Sequence, residues 1–445
     1  MQLMMDEIHE AATRPIVKPG KWWGVVATVL GLFVLAGLGT YVYQFFHGLG
    51  VTALNDGVFY GFYMTNLVTF IGISYGGAVV SAILRLTHAA WRAPITRLAE
   101  GMAVVSLIIG ASFAIVDMGK LQHLWWVLVT PNAQSPVIWD IVAISTYVVA
   151  TLIFFLLPLI PDAAILLNHS TQKFSSWRRK LYSVISLKWK GMPGQRTVLS
   201  RSMTLMAILI IPLAVSVHSV LAWVFAVTSR DGWHSSIFGP YFVVGALFSG
   251  VAAVILVVSA FRKAYHLEKF IGQKQFRYLG LLMLALGATY LYFTIAEFLT
   301  EGYTQFVSTV PFLRSLLVAD YAPLFWPFLI VGIVIPVLLV AIPKTRNVKG
   351  ITIASALVVG GMWVKRFLII VPPLRQQLFG TTAPSYTGNW VEWVITLGAL
   401  AAIPLFLMLM FRLFPVLPMY EMQEIAEEQS EHESKAGEEI NLKAG

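Results

Sequence analysis

Ten long apolar stretches, separated by shorter polar segments, run along the chain. They lie near residues 22–46, 58–86, 97–118, 136–160, 202–228, 237–261, 277–300, 323–343, 350–372 and 390–414. Each is long enough to cross a hydrocarbon core, which takes roughly 20 helical residues. The runs are continuous rather than alternating, and a backbone inside lipid must satisfy its own hydrogen bonds, so helices are favoured over strands. The pattern predicts an all-α membrane protein with ten transmembrane helices.

Lysine and arginine residues are concentrated in every second loop between these stretches. With their edges, the second and eighth loops carry three of them each, the sixth carries five and the fourth carries eight. The odd-numbered loops carry only Lys120, Arg230, Arg314 and Arg375. Positively charged loops stay on the cytoplasmic side of a membrane. The alternation therefore predicts that the even loops and both termini are cytoplasmic. It also supports the count of ten, because a missed or added helix would scramble it.

The composition agrees with this picture and excludes several classes of protein. Of 445 residues, 58% are hydrophobic and only 12% are charged, about half the charged share of a water-soluble domain. A cytosolic enzyme is therefore excluded. Since the chain has no cysteine, it forms no disulfide and supplies no thiolate to zinc or to an iron–sulfur cluster. The formal net charge of +9 follows from the cytoplasmic loops, so we expect no nucleic-acid binding.

Both ends of the chain are expected to lie in the cytoplasm. Residues 1–21 include Asp6, Glu7 and Glu10 and lack a compact apolar core, so they do not form a cleavable signal peptide and should stay as a cytoplasmic N-terminal segment. Residues 419–445 carry eight glutamates and few large apolar residues. This composition cannot bury a core, and it predicts an acidic, disordered cytoplasmic tail.

The fourth loop combines its eight basic residues with the aromatic residues Trp177, Tyr182 and Trp189. A basic and aromatic segment beside a membrane is typical of chains that lie along the lipid headgroups and are attracted by anionic lipids. We therefore expect anionic lipids as partners of this loop. A docking surface for a cytoplasmic protein is the alternative.

Few ionisable residues lie inside the predicted spans away from their basic cytoplasmic edges. A charge in the bilayer is costly unless it is paired or solvated, so each of these residues is a functional candidate. They are Asp117, Asp140, His218, Glu297, Lys365, Arg366 and Glu392. The four carboxylates lie at the extracytoplasmic ends of their helices, while His218 and Arg366 fall in the outer half. The inner half is expected to hold essentially no titratable group, which favours a polar cavity open to the outside.

The same residues also have structural interpretations. The two aspartates and Glu392 can cap the ends of helices. Glu297 and Arg366 can form an ion pair between the seventh and ninth helices, or they can line a proton route together with His218. Lys365 can extend along its apolar stem toward the surface, and we assign it no role.

The nine histidines bear on the redox chemistry that the chain could support. Only His218 lies inside a predicted span, whereas a membrane b-type haem typically needs two facing imidazoles. Haem is therefore not expected. A transition-metal site is not expected either, because no group of His and carboxylate residues occurs at helical spacing. A membrane redox protein without such a centre would have to act on a lipid-soluble carrier, chiefly a quinone.

A quinone pocket needs a proton acceptor, further hydrogen-bonding groups and an aromatic wall. The chain offers candidate groups from the second span to the start of the fourth, namely Asn66, Tyr75, Asp117, His123 and Asp140. Asn66 lies about eight residues into its helix and Tyr75 lies deeper, so only some of these groups can contact one ligand. Asp117 is the best candidate for the catalytic proton acceptor.

Six segments, in a fixed order along the chain, carry a resemblance to a known family. They are GFYMTNLVTFIGISYGGAVVSAILRLTHAAWRAPITRLAE (61–100), FAIVDMGK (113–120), NAQSPVIWDIVAISTY (132–147), YLYFTIAEFLTEGY (290–303), KRFLIIVPPL (365–374) and SYTGNWVEWVITLG (385–398). Together they resemble the NrfD/PsrC group of integral membrane subunits over most of residues 20–418. The ten-helix form is most similar to the long branch of that group, which includes Hmc- and Dsr-type complexes and the ActC and ActF subunits of alternative complex III.

The resemblance implies an architecture and a set of partners. It implies two four-helix bundles, from spans two to five and six to nine, flanked by the first and last helices. On that basis residues 22–228 hold the first helix and first bundle, residues 229–372 the second bundle, and residues 373–418 the last helix. A menaquinone or ubiquinone site is implied on the extracytoplasmic side of the first bundle, with no haem or iron–sulfur cluster in this chain. A ferredoxin-like iron–sulfur subunit would dock beside it, with cytochrome c and other membrane subunits beyond.

Individual residues match the family pattern to different degrees. Asp117 matches the family's polar turn residue near the quinone, and Glu297 and Arg366 match second-bundle positions suspected in proton movement. Tyr75 stands at a position that is often His in alternative complex III, and Lys120 replaces the usual Arg. These two departures leave open whether this chain keeps the quinone pocket.

The sequence thus predicts a quinol-interacting membrane subunit of a respiratory oxidoreductase, in the cytoplasmic membrane of a bacterium or archaeon. It would exchange electrons between the quinone and a peripheral iron–sulfur subunit, with proton translocation as a further option. One alternative is a membrane anchor of the same kind of complex whose quinone pocket is lost. A secondary transporter is the other alternative. It has slight support from the helix-breaking residues Gly72, Gly76, Gly77, Pro212 and Pro336.

Overall fold

The computed structural model describes residues 2–89, 91–120, 124–169, 174–228, 230–233, 235–376 and 383–425, and these residues form helices and loops without a β-strand. The helices are, in chain order, α1 (Gln2–Val17), α2 (Trp23–His47), α3 (Phe62–Leu86), α4 (Ala93–Met118), α5 (Leu124–Val129), α6 (Pro136–Leu156), α7 (Leu159–His169), α8 (Ser176–Ile185), α9 (Pro193–Ala226), α10 (Phe238–Ala264), α11 (Gln273–Thr304), α12 (Thr309–Leu317), α13 (Ala322–Pro327), α14 (Ile335–Ala341), α15 (Val348–Arg375) and α16 (Trp390–Leu413). Within the described ranges, ten helical stretches are long and apolar enough to cross a membrane. The predicted all-helical fold with ten such stretches is confirmed.

The largest differences from the predicted spans occur where a helix continues beyond its apolar stretch. Helix α9 begins at Pro193, although its apolar stretch begins near residue 202. Pro193 occupies the first helical turn, where the missing N–H of proline is tolerated. The fourth predicted span, near 136–160, continues from α6 into α7 and reaches His169. Hydropathy marks the apolar part of a helix and not its polar extension.

Helix α3 lies at the centre of the molecule. Nearly all of its residues are buried, and it packs against α4, α9, α10 and α15. It approaches α10 closely, because a Cβ atom added to Gly76 would lie 2.3 Å from the Cα atom of Gly250. A Cβ atom added to Gly72 would lie 2.6 Å from Nη2 of Arg366. Gly72 and Gly76 therefore allow close helix packing, as small residues do in membrane proteins. Their presence needs no transport role to explain it.

Helix α2 lies at the periphery, where it packs along α16. The two helices cross at Gly37 and Gly398, since a Cβ atom added to Gly37 would lie 3.1 Å from the Cα atom of Gly398. Most other side chains of α2 are apolar and exposed. Such a surface is expected where a helix faces hydrocarbon rather than protein.

Prolines interrupt the backbone hydrogen bonding of several spans, among them the eighth and the ninth. A π-helical segment, Phe328–Val334, joins α13 to α14 directly after Pro327. In α15, Pro373 cannot donate a hydrogen bond to the carbonyl group of Ile369, because proline has no N–H. The indole Nε1 of Trp233 donates to that carbonyl oxygen instead, at 2.6 Å. The side chain thus replaces a bond that the helix cannot make.

A buried cluster of charged residues lies at the end of α4 opposite Asp117. Arg97 Nη2 lies 2.5 Å from Asp162 Oδ2, and both side chains are fully buried. Glu100, also buried, accepts a hydrogen bond from Ser81 at 2.7 Å. The expectation that this half of the protein holds essentially no titratable group is therefore wrong. Arg97 is the first residue of the third predicted span, where loop charge alone predicts an exposed cation, but its side chain is fully buried with Asp162 as its counter-ion.

Residues 419–425, at the start of the acidic tail, form a helix that covers this charged cluster. The N–H of Tyr420 donates to Asp162 Oδ1 at 2.9 Å, and Glu421 lies 2.8 Å from Arg85. The start of this helix and the chain before it are also fixed, because Met419, Val416 and Leu417 are fully buried. The rest of the acidic tail, from residue 426 onward, lies outside the described residues.

Replacing Gly76 with alanine is predicted to destabilise the protein, because the added Cβ atom would overlap the backbone of Gly250 and force α3 away from α10. We expect a loss of roughly 1–3 kcal/mol, the usual cost of overpacking, seen as a lower midpoint of thermal unfolding in detergent. The matched control is Gly360→Ala in α15, where no atom lies within 4 Å of the added Cβ atom. Equal midpoints for the two variants would contradict the close crossing of α3 and α10.

Candidate functional site

Two aspartates and a tyrosine lie where α4 ends and where α3 and α6 begin. Asp117 is the penultimate residue of α4, Asp140 lies near the start of α6, and Tyr60 lies just before α3. Burial raises the pKa of Tyr60, and the negative charges of Asp117 and Asp140 raise it further. Both carboxylates therefore lie within electrostatic range of one phenol. We call these three residues the aspartate cluster.

The aspartate cluster contains carboxylate oxygens that accept no hydrogen bond from the described residues. Each aspartate has one carboxylate oxygen, Oδ1, that is buried and has no hydrogen-bond partner among the described residues. Buried polar atoms are nearly always hydrogen bonded, and an unpaired one indicates a missing water, ion or ligand. Each aspartate can therefore accept a hydrogen bond from a water, an ion or a ligand that reaches it.

The end of α4 is fixed by side chains from α2 and α3. The last carbonyl groups of a helix have no partner within it. The carbonyl oxygen of Val116 accepts a hydrogen bond from Gln44 Nε2 at 3.3 Å, and the Tyr63 hydroxyl donates to Gln44 Oε1. Gly119 ends the helix with φ +71°, and a Cβ atom there would lie 2.8 Å from Leu49. These contacts hold Asp117 in place.

The loop that carries Tyr60 is fixed by Glu392 at the start of α16. The fully buried Glu392 carboxylate accepts hydrogen bonds from the N–H groups of Ala53 at 2.9 Å and Asn389 at 3.0 Å, and from the Tyr386 hydroxyl. Asn389 accepts in turn from the N–H of Glu392, which forms a capping box. The capping role predicted for Glu392 is confirmed.

Asn66, which was predicted for the same pocket, is engaged by other helices. Its Nδ2 donates to Thr396 Oγ1 at 2.8 Å, and its Oδ1 accepts from Trp363 Nε1 at 2.9 Å. Thr396 belongs to α16 and Trp363 to α15, and neither helix carries Asp117 or Asp140. The Asn66 amide therefore joins three helices, and the structure does not bring it to the aspartate cluster.

Tyr75 lies deeper in the protein, about 20 Å along α3 from its first residue. Its ring is stacked on that of His218, with centroids 4.7 Å apart. The structure therefore pairs Tyr75 with His218 rather than with Asp117. His123, the remaining residue of the predicted pocket, lies outside the described residues.

His218 and Arg366 line a small cavity between α3, α9, α10 and α15. Its volume is about 20 Å³, which is enough for one water molecule. His218 Nε2 and Arg366 Nη1 are buried without hydrogen-bond partners among the described residues, while Arg366 Nη2 donates to Ser249 at 2.7 Å. A single water in this cavity would satisfy both unpaired nitrogens.

The predicted ion pair between Glu297 and Arg366 is wrong. Glu297 Oε2 lies 4.0 Å from Lys365 Nζ, and both side chains are buried. Lys365 does not reach outward, because its ammonium group lies 5.1 Å from the ring centroid of Tyr241 inside the protein. Consecutive residues of a helix point about 100° apart. Since Arg366 faces Ser249, its neighbour Lys365 is the residue that faces α11.

The chain matches a known protein family over most of its length. The family model for polysulphide reductase, NrfD, matches residues 50–376, nearly three quarters of the chain, including the aspartate cluster. The chain belongs to the NrfD family. The predicted resemblance to the NrfD/PsrC group is thereby confirmed, and the protein is an integral, multi-pass membrane protein.

Three relatives of this NrfD-family chain match along most of their length. A protein of Halobacterium salinarum, assigned as a dimethyl sulfoxide reductase membrane subunit, is 27% identical over 365 residues, 80% of this chain and 79% of the relative. The Hdr-like menaquinol oxidoreductase integral membrane subunit of Archaeoglobus fulgidus is 26% identical, covering 78% of each chain. A selenate reductase subunit of Mesobacillus selenatarsenatis is 25% identical, covering 84% of this chain and 89% of the relative.

Replacing Lys365 with methionine is predicted to lower the free energy of unfolding by roughly 3–5 kcal/mol, because Glu297 would be left buried without its cation. The additional substitution Glu297→Gln should restore most of that loss, which unfolding in detergent can measure. Arg366→Met serves as the matched control, since Arg366 contacts Ser249 and Glu297→Gln should not rescue it. Rescue of Arg366→Met but not of Lys365→Met would contradict the observed pairing.

Proposed function

We propose that this protein is the quinone-interacting membrane subunit of a respiratory oxidoreductase. The observation that carries the proposal is the aspartate cluster, in which Asp117 and Asp140 each keep a buried carboxylate oxygen without a partner among the described residues. The chain has no cysteine, so a redox reaction in the membrane needs a lipid-soluble carrier and a separate protein that holds the electron acceptor. One relative is named a menaquinol oxidoreductase subunit, which supports menaquinone as the substrate, with ubiquinone as the alternative.

Oxidation of a quinol releases two protons and two electrons. In the proposed reaction the Asp117 and Asp140 carboxylates accept the protons of the two quinol hydroxyl groups and release them to water at that end of the helices. Tyr60 supplies an aromatic wall and a hydroxyl group beside the ring. The electrons leave to an iron–sulfur subunit docked at the same end. If electrons flow in the opposite direction, the same carboxylates return protons to the quinone.

The proposal includes an orientation in the membrane and a set of partners. The end with the aspartate cluster would face the extracytoplasmic side of a bacterial or archaeal cytoplasmic membrane, with both termini in the cytoplasm, because the lysines and arginines are concentrated in the even-numbered loops. Spans two to five and six to nine would form two four-helix bundles. A ferredoxin-like iron–sulfur subunit would dock over the cluster, with cytochrome c and other membrane subunits beyond it.

Helix α8 is proposed to lie along the cytoplasmic headgroups and to bind anionic lipids. The Tyr182 hydroxyl fixes the helix to the end of α16, donating to the carbonyl oxygen of Leu413 at 2.6 Å. On the opposite face Trp177 and Val184 are exposed, next to the basic residues of the helix. Apolar side chains that enter the lipid, flanked by cations, support an interfacial helix.

A proton route through the second half of the protein is proposed to involve His218, Arg366 and Glu297. The small cavity connects His218 with Arg366 and is also lined by Tyr241 and Tyr290. These two rings are stacked at 4.6 Å between centroids and lead toward Lys365 and Glu297. A nearly continuous line of polar groups supports the route, although Glu297 is held by Lys365 and not by Arg366.

A membrane anchor without a working quinone pocket is the second candidate function. It is favoured by the positions of Asn66 and Tyr75, because both side chains are engaged away from Asp117. In this alternative the chain holds the complex in the membrane, and a different subunit binds the quinone. The two candidates differ in what Asp117 does and not in the fold.

The two candidates are distinguished by Asp117→Asn and Asp140→Asn in the assembled complex. Loss of a general base typically costs 10²–10⁴-fold in rate, so each variant is expected to lower quinol oxidation by about 100-fold or more while the subunits still co-purify. Asp56→Asn removes an exposed carboxylate from the same loop as Tyr60 and should leave the rate unchanged. Unaltered quinol oxidation by the Asp117 variant in an intact complex would overturn the proposal in favour of the anchor.

A further inference from the structure

A groove of about 480 Å³ lies at the same end of the protein, between α3, α13, α15 and the start of α16. It is separate from the aspartate cluster and shares none of its residues. Phe62, Trp363, Phe367 and Tyr386 form an aromatic wall, while Leu324 and Trp393 are 40% and 43% exposed. Leu324 and Trp393 lie on membrane-spanning helices, so this side of the groove faces the lipid. The exposed residues Asp320, Ser385 and Thr387 lie in the connecting segments at its mouth.

The groove has a polar mouth and an apolar interior. Arg375, the last residue of α15, forms an ion pair with Asp320 at the mouth. Val364 lies on the same helix about 16 Å deeper. A molecule that fits this arrangement is an amphiphile with its polar end at the helix ends and its apolar part in the core, which is the orientation of a membrane lipid.

The two charges at the mouth are of opposite sign. Contacts with the described residues occupy only part of their hydrogen-bonding capacity. The Arg375 Nη1 atom is bonded to Asp320, its Nε donates to the carbonyl oxygen of Ala383 at 3.2 Å, and the Tyr321 hydroxyl also contacts the guanidinium. A guanidinium group has five N–H donors, so among the described residues donors remain for a phosphate. Asp320 is 58% exposed and can accept from an ammonium group. This pair of charges matches a zwitterionic headgroup.

The interior of the groove is a poor match for a quinone ring. A quinone has oxygens on opposite sides of its ring, so its deeper oxygen would need a donor in the interior. The Trp363 indole N–H already donates to Asn66, and the Tyr386 hydroxyl is bonded to Phe62 and Glu392. The other neutral polar groups of the lining, those of Ser385, Thr387 and Trp393, lie before α16 or in its first turn, near the mouth and not in the interior. A phospholipid carries its polar atoms at one end and places only hydrocarbon against the aromatic wall.

We propose that this groove is a specific site for a zwitterionic phospholipid, with the phosphate on Arg375, the ammonium on Asp320 and an acyl chain along Phe367 and Trp363. The proposal accounts for Arg375, one of only four cations in the odd-numbered loops. It does not depend on the proposed quinone reaction, since the groove contains no residue of the aspartate cluster.

The proposal is tested with the full-length protein in nanodiscs that contain phosphatidylethanolamine, phosphatidylglycerol and menaquinone, followed by transfer to mild detergent and native mass spectrometry. The wild type is expected to retain one phosphatidylethanolamine. Arg375→Gln should lower that occupancy at least tenfold, and Arg375→Lys should restore part of it. Arg314→Gln removes an exposed cation from α12 and is the matched control that should retain the lipid.

A second variant keeps the test decisive if Arg375→Gln does not fold. Val364→Trp fills the groove from the lipid side without altering the ion pair, and it should also abolish retention. Retention of phosphatidylethanolamine by the Val364→Trp variant at the wild-type level would overturn the proposal. Menaquinone as the retained molecule, or no retained molecule in the wild type, would overturn it as well.

Discussion

A polar group inside a bilayer finds no water, and this constraint determines how the chain is folded. Helix α3, which carries several buried hydroxyl and amide side chains, lies at the centre, where α4, α9, α10 and α15 surround it. The crossing at Gly76 and Gly250 lets two backbones meet closely enough to exclude lipid. Ion pairs such as Arg97 with Asp162 follow the same rule. Several buried polar atoms depart from it, since they have no partner among the described residues, and of these the carboxylate oxygens of Asp117 and Asp140 define the candidate site.

The two ends of the molecule treat buried charge differently. One end pairs a buried arginine with a buried carboxylate, whereas the other end, among the described residues, gives the buried carboxylate oxygens of its two aspartates no cation. At one end Arg97 and Asp162 neutralise each other, and residues 419–425 close over them. At the other end Asp117 and Asp140 each retain a free acceptor atom within the part of the chain that the structure describes. Paired charges stabilise a fold, whereas free acceptors beside an aromatic ring are suited to a ligand that brings its own protons. This difference is the physical basis for assigning quinone chemistry to one end.

The spans could be predicted from the sequence because hydropathy and loop charge depend only on composition along the chain. Side-chain partners could be predicted less well, because they depend on rotation about each helix. Asn66 and Tyr75 are nine residues apart and so point in nearly opposite directions on α3, which helical periodicity alone could have indicated. The choice between Lys365 and Arg366 as the partner of Glu297 needed the orientation of α15, and the pairing of Arg97 with Asp162 needed the return of the chain through α7.

The central claim, that a quinone binds beside Tyr60, Asp117 and Asp140, is tested most directly by photolabelling the assembled complex with an azidoquinone and mapping the modified peptides by mass spectrometry. The account predicts labels on the segments around Tyr60, at the end of α4 and at the start of α6, and it predicts that excess quinol suppresses them. Labels confined to α15 and the start of α16, or labels that excess quinol does not suppress, would contradict it.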